Sequence, residues 1–132
     1  MAEGHFEVLD AAECSLLLRE QAVGRVAFQG PDGLTVLPLS YLLADEKIVL
    51  RTARDTQLAA LPEQTPVAFE VDEFDAGFRN GWSVLVRGQL HRAGDEDLAS
   101  HGPMPEPFVP DDREQLLVIT PREYTGRAVS SD

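Results

Sequence analysis

From Val23 onward apolar and polar residues alternate with a period of two, and short turns rich in glycine and aspartate interrupt the alternation every few residues. That period places successive side chains on opposite faces of an extended chain, so each run reads as a strand with one face buried. Residues 23–28 form the first run, Gly30-Pro31-Asp32-Gly33 a turn, and residues 34–43 a second run. Ala44-Asp45-Glu46-Lys47 is another turn before a run over residues 47–53. In residues 66–74, Val67, Phe69 and Val71 alternate with Ala68, Glu70 and Asp72. In residues 81–92, Trp82, Val84 and Val86 oppose Ser83, Leu85 and Arg87. A last strand is expected over residues 114–120, and the remaining tail from Pro121 is left unassigned.

These are six strands without βαβ alternation. The fold class expected is mainly β, antiparallel, closed as a barrel or sandwich, because closure removes exposed strand edges. At 132 residues the chain makes one domain, residues 1–132, large enough to bury a core without disulfide or metal staples.

Two or three short helices complete the expectation. Asp10-Ala11-Ala12-Glu13 has capping-box spacing, which starts a helix over residues 11–21 with Cys14, Leu17 and Leu18 on one face. Asp55 or Thr56 can cap a second short helix through Leu61. Residues 95–101 read as a short acidic helix or turn. Residues 102–112 carry four of the nine prolines and read as a packed loop.

The charge excludes some functions. Eleven Lys and Arg against 23 Asp and Glu give −12, and Lys47 is the single lysine. Nucleic acid and anionic membranes need basic patches that this chain lacks, so neither is expected as a partner. The acidity itself reads as a solvated surface. Cys14 is the only cysteine, so no internal disulfide forms; on the apolar face of a helix it is a structural thiol rather than a nucleophile. No signal-peptide pattern opens the sequence and no apolar run reaches 18 residues, so a cytoplasmic location is expected.

His5, His91 and His101 stand apart without ligand spacing, and no metal site is expected. The G-x-S-x-G, G-x-G-x-x-G and P-loop patterns are missing too. What remains is the segment Leu50-Arg51-Thr52-Ala53-Arg54-Asp55-Thr56-Gln57, where a strand ends and a helix is expected to open. Unpaired amides there suit a phosphate, with Arg51 and Arg54 adding charge and Thr52 and Thr56 adding hydroxyls. The same residues also read as a plain capped helix with surface arginines. Trp82 is equally open: a core ring, or a flat surface for a planar ligand or a partner subunit.

Four stretches in order resolve these alternatives by resemblance. They are Val23-Gly24-Arg25-Val26-Ala27-Phe28, Leu37-Pro38-Leu39-Ser40-Tyr41, Arg51-Thr52 through Leu61, and Gly81-Trp82-Ser83-Val84-Leu85-Val86-Arg87-Gly88, followed by Thr125-Gly126-Arg127. Together they resemble the pyridoxamine 5′-phosphate oxidase-like proteins, the FMN-binding split β-barrel family. The resemblance implies a six-stranded split barrel, a homodimer, and two flavin sites at its interface. The isoalloxazine would lie along Leu37, Pro38, Leu39 and Ser40. The phosphate and ribityl chain would meet Arg51, Thr52, Thr56 and Gln57, and Trp82-Ser83 of the second copy would close the site. Read alone, Leu37 and Leu39 are barrel packing and Pro38 is an edge or bulge position.

The implied activity is that of a flavin-dependent oxidoreductase with FMN as cofactor and the catalytic residues and substrate unassigned. Relatives with Lys or Arg at the position of Gln57 have a charge that this chain lacks, which weakens attraction to a phosphate. A non-catalytic flavin-binding or ligand-free dimeric module is therefore the alternative from a different class. F420, with its polyanionic tail, and FAD rank below FMN, as does an F420-dependent reductase. Heme lacks an assignable axial histidine. Oxidation of pyridoxamine phosphate itself is not expected, because the C-terminal section offers few cations for the substrate phosphate.

Overall fold

The computed structural model describes residues 4–77, 79–94 and 114–131. Along them run β1 (Gly4–Leu9), α1 (Ala11–Glu20), β2 (Val23–Gly30), β3 (Gly33–Ala44), β4 (Lys47–Ala53), β5 (Thr65–Phe74), β6 (Gly81–Arg92) and β7 (Glu114–Ser131). All pairings are antiparallel, in the order β1-β7-β4-β3-β2-β5-β6, and β6 pairs back onto β7. The six strands β2 to β7 therefore close a ring, a split barrel as expected, with β1 added outside it.

The strands form where the alternation placed them. Val67, Phe69 and Val71 of β5 and Val84 and Val86 of β6 are buried, with Val26, Phe28, Ile48, Leu50, Leu117 and Ile119 from the other ring strands. Fully burying such side chains stabilises by about 1.5–3 kcal/mol each, which makes this interior the main source of stability. Tyr41 meets Phe69 edge to face, with ring centroids 5.0 Å apart, and its hydroxyl donates to the Leu18 carbonyl at 2.5 Å. That carbonyl belongs to the last turn of α1, where intrahelical donors run out.

Helix α1 starts as expected. Asp10 Oδ1 accepts the Glu13 amide at 2.8 Å, and Cys14, Ser15 and Leu18 face the barrel. Burial pushes the Cys14 thiol up, consistent with an inert packing role.

The β3–β4 hairpin turns on Asp45 and Glu46, both left-handed at φ 52° and 62°. This is the handedness a two-residue turn between twisted strands demands, usually met by Asn or Gly. Here outside contacts hold it. The Glu46 carboxylate accepts from Ser15 Oγ at 2.6 Å and from Arg19, and its carbonyl accepts from the Tyr124 hydroxyl at 3.1 Å.

Several expectations need correction. Among the described residues α1 is the one helix, fewer than the two or three expected. The segment after β4 is a series of turns through Leu61; Thr56 does cap it, accepting the Ala59 amide at 3.1 Å, but Pro62 follows before a second helical turn can form. β1 was not anticipated: its alternating Phe6 and Val8 stay 62% and 74% exposed. β7 does not stop at Thr120 but runs to Ser131. The expected acidic helix (95–101) and proline-rich loop (102–112) lie outside the described residues.

β7 passes Pro121 through a bulge. Its register on β6 slips between Arg87 and Gly88, from Arg87↔Glu123 to Gly88↔Pro121. A proline, having no amide to donate, is tolerated at such an irregularity. Gly88 is required there because a Cβ would lie 2.3 Å from the Thr120 carbonyl oxygen and 3.0 Å from its carbon, both backbone. Gly88→Ala should therefore loosen the β6–β7 crossing and lower stability by about 2 kcal/mol or more, read as a lower urea midpoint.

Candidate functional site

β3 and β4 pair only over Tyr41↔Leu50 to Ala44↔Lys47. Beyond Tyr41 and Leu50 they part. β3 stays with β2, pairing Ser40 with Val23 and Leu37 with Val26, whereas β4 follows β7, pairing Arg51 with Leu116 and Thr52 with Gln115. The two backbones diverge there, and this divergence, the slot, has Leu37, Pro38, Leu39 and Ser40 on one side and the chain from Arg51 to Gln57 on the other. At its far end Gln57 Nε2 donates to Asp32 Oδ2 at 2.8 Å, joining that chain to the β2–β3 turn.

On the β3 side the side chains alternate. Leu37 and Leu39 pack against the core, while Pro38 is exposed and Ser40 half-buried. Pro38 lies where β3 pairs with β2 alone, so its missing amide leaves no gap in a ladder on the slot side. On the other side Thr52 is buried, and its hydroxyl lies 3.3 Å from that of Thr56. The Thr56 hydroxyl donates to the Ala53 carbonyl at 3.0 Å and accepts the Ala59 amide. With its proton spent on Ala53, Thr56 serves as an acceptor for Thr52. Thr56 thus braces the turn, and Thr52 is tied to it from the buried side.

Trp82 and Ser83 do not join this slot within the chain. They sit on β6, which in the ring is separated from β3 by β2 and β5 and from β4 by β7. Trp82 packs its half-buried ring against the core cluster. Ser83 pairs with Arg127 and Asp72.

The model of the pyridoxamine 5′-phosphate oxidase family matches residues 10–128. The chain belongs to this family. The family member is 28% identical over 130 residues to an uncharacterised protein of Mycobacterium tuberculosis, an alignment covering 94% of this chain and 86% of that one. It is similar in structure to a pyridoxamine 5′-phosphate oxidase candidate from Corynebacterium glutamicum, with TM-score 0.75, 27% identity, and 93% and 92% of the two chains covered. It is also similar to the FAD binding protein of Mycobacterium smegmatis, with TM-score 0.73, 27% identity, and coverage of 94% and 98%.

Two features of this family member were not anticipated from its sequence. The first is the Asp32–Gln57 contact, which joins residues 25 positions apart and needs the hairpin to be folded. The second lies on the outer sheet face, where Arg25 Nη1 reaches Glu70 at 3.0 Å and Asp72 at 3.3 Å. The alternation of β5 put Glu70 and Asp72 on one face, but only the register Arg25↔Glu70 supplies their cation.

Partial burial, then the hydrogen bond and charge of Asp72, push the Glu70 carboxyl up to about 7, and Arg25 offsets only part of this. A carboxyl raised on folding stabilises the fold below its unfolded value and loses that contribution as pH climbs through 7. Glu70→Gln, which keeps a hydrogen-bond acceptor, should therefore raise stability at pH 8 by about 1 kcal/mol after allowance for solvent screening. Denaturation at pH 5 should show no such gain.

Proposed function

We propose that this chain is a flavin-binding oxidoreductase that works as a homodimer, with the flavin along the β3–β4 slot of one copy and against Trp82-Ser83 of the other. The observation that carries the reading is the slot itself. Its two sides are the segments that the family resemblance assigns to the ring and to the phosphate of a flavin. The distance of Trp82 and Ser83 from the slot supports their contribution from a second copy.

An unpartnered apolar face supports the dimer. Leu34 is 86% exposed, Val36 60% and Val23 45%. With Ala27, Ala68 and Pro66 of the neighbouring strands, Leu34 and Val36 line a cleft of about 570 Å³ on the outside of the barrel, which Arg87, Arg122 and Glu123 also border. Exposed apolar area of this kind on a sheet marks an association surface.

The residues present fit a flavin through hydrogen bonding more than through charge. Arg51 and Arg54 carry guanidinium donors, and Ser40 adds a half-buried hydroxyl beside the exposed Pro38. A bound flavin supplies hydride and electron transfer; the chain's own part is to bind it, orient its ring and keep water from one face. FMN is the flavin that the resemblance implies. FAD is the second reading, supported by the similar FAD binding protein of Mycobacterium smegmatis. A non-catalytic binding module is favoured over an enzyme by one observation, the neutral Gln57 tied to Asp32.

Titration of the purified protein with FMN, FAD and F420, followed by flavin fluorescence and absorption, tests the cofactor, and reduction of the loaded protein by NADH or NADPH tests the enzyme. Arg51→Ala should weaken flavin binding about ten- to hundredfold, the worth of a charge-assisted contact to phosphate. Val36→Asp should shift sedimentation from dimer to monomer and lower flavin affinity together, because each site needs both copies. A dimer that persists in that variant would remove this face from the interface.

A further inference from the structure

On the outside of the barrel Val36, Ala27, Ala68, Arg87 and Glu123 form one row, each directly opposite the next in the register of β3, β2, β5, β6 and β7. Val36, Ala27 and Ala68 are its apolar middle, shared by the cleft of about 570 Å³ and a smaller one of about 340 Å³. Charge is laid unevenly around that middle. Along the strands, Glu70 and Asp72 lie two and four residues beyond Ala68, about 7 and 13 Å away. They share Arg25 at 3.0 and 3.3 Å, two carboxylates for one cation. Across the strands, Arg87 and Arg122 border the larger cleft together with Glu123, two cations for one carboxylate. The apolar middle therefore has an acidic flank in one direction and a cationic flank in the other.

We infer that two copies of this chain dock with the Glu70-Asp72 flank of each over the Arg87-Arg122 flank of the other, closing the apolar middles between two matching charged rims. The inference rests on the dimer reading above and adds the orientation of the copies. In a two-fold contact every pairing occurs twice. An axis along the strands would set acidic flank on acidic flank, and an axis across them cationic flank on cationic flank. An axis running between the two directions exchanges the flanks, so that opposite charges meet at both ends. Like charges facing each other disfavour the first two arrangements, which makes the flanks a device for choosing the third. Pairs at a wet rim add little affinity. The apolar middle holds the copies together, and the flanks set their orientation.

Charge exchange between chains tests it, followed by sedimentation over a range of concentrations at pH 8, above the value of about 7 for the Glu70 carboxyl. Asp72→Arg alone should weaken self-association about five- to thirtyfold, because attraction becomes repulsion at two symmetric contacts. Arg122→Glu alone should do the same. Mixed in equal amounts, the two variants should pair with each other at close to wild-type affinity, since both contacts then join opposite charges. High salt should shrink all of these differences. An exchange within one chain cannot produce the recovery in the mixture, so the readout separates contacts between copies from contacts inside a copy. Should either variant fail to fold by circular dichroism, Asp72→Asn and Arg122→Gln should each weaken the dimer about two- to fivefold. Folded variants that associate no better mixed than alone, or neutral variants that leave the dimer unchanged, would overturn the pairing of flanks while leaving the dimer standing. A wild-type chain that stays monomeric would overturn the dimer reading, and the pairing with it.

Discussion

The architecture depends on one strand having its backbone paired along both edges. β7 gives one edge to β6 over most of its length, and divides the other between β4 at its start and β1 at its end. Closing the ring this way satisfies amides and carbonyls that an open sheet would leave at its margin. It also produces the slot. β4 cannot follow both β3 and β7 when the barrel curves, and past Leu50 it follows β7. The free edges of β3 and β4 that face each other there are a consequence of closure.

Helix α1 fixes the near end of that slot. Its apolar face enters the barrel so closely that a Cβ on Gly126 of β7 would lie 2.6 Å from Cys14 Sγ. Tyr41, the residue after Ser40, runs through the core to hold the helix's last turn, and Glu46 binds Ser15 and Arg19 from the hairpin beyond. Burial raises the Tyr41 hydroxyl well above its ordinary value, so it remains a donor at any working pH. The β3 side of the slot is therefore anchored at Tyr41, whereas the opposite side rests on threonine hydroxyls and the exposed Asp32–Gln57 bond. Rigidity falls off along the slot, from the ring-facing segment of the proposed site toward the phosphate-facing one.

What was legible in the sequence follows from how local each signal is. β2 to β6 and α1 could be read because alternation, turns and a cap are encoded within a few residues, and their bounds fall within a residue or two of expectation. β1 was missed because its apolar residues face outward, so its pairing with β7 is recorded in the partner. The second half of β7 was hidden by Pro121, which reads as a stop until the bulge opposite Gly88 is known. In the candidate site, the two flanking segments were recognisable as segments, but the slot between them is a fact of register. Asp32 read as an ordinary turn residue because its meaning depends on Gln57, in another loop.

Electrostatics then decides where such a chain can bury surface. Arg25 serves both Glu70 and Asp72, and all three side chains stay 30–53% exposed. Burying that cluster whole would leave one carboxylate without its own cation, at a cost of several kcal/mol. Leu34 and Val36 carry no such penalty, and covering them gains about 1.5–3 kcal/mol each. A second copy seated on this face, as proposed, would be centred over Leu34, Val36 and Ala27, with the Arg25 cluster left wet at the rim.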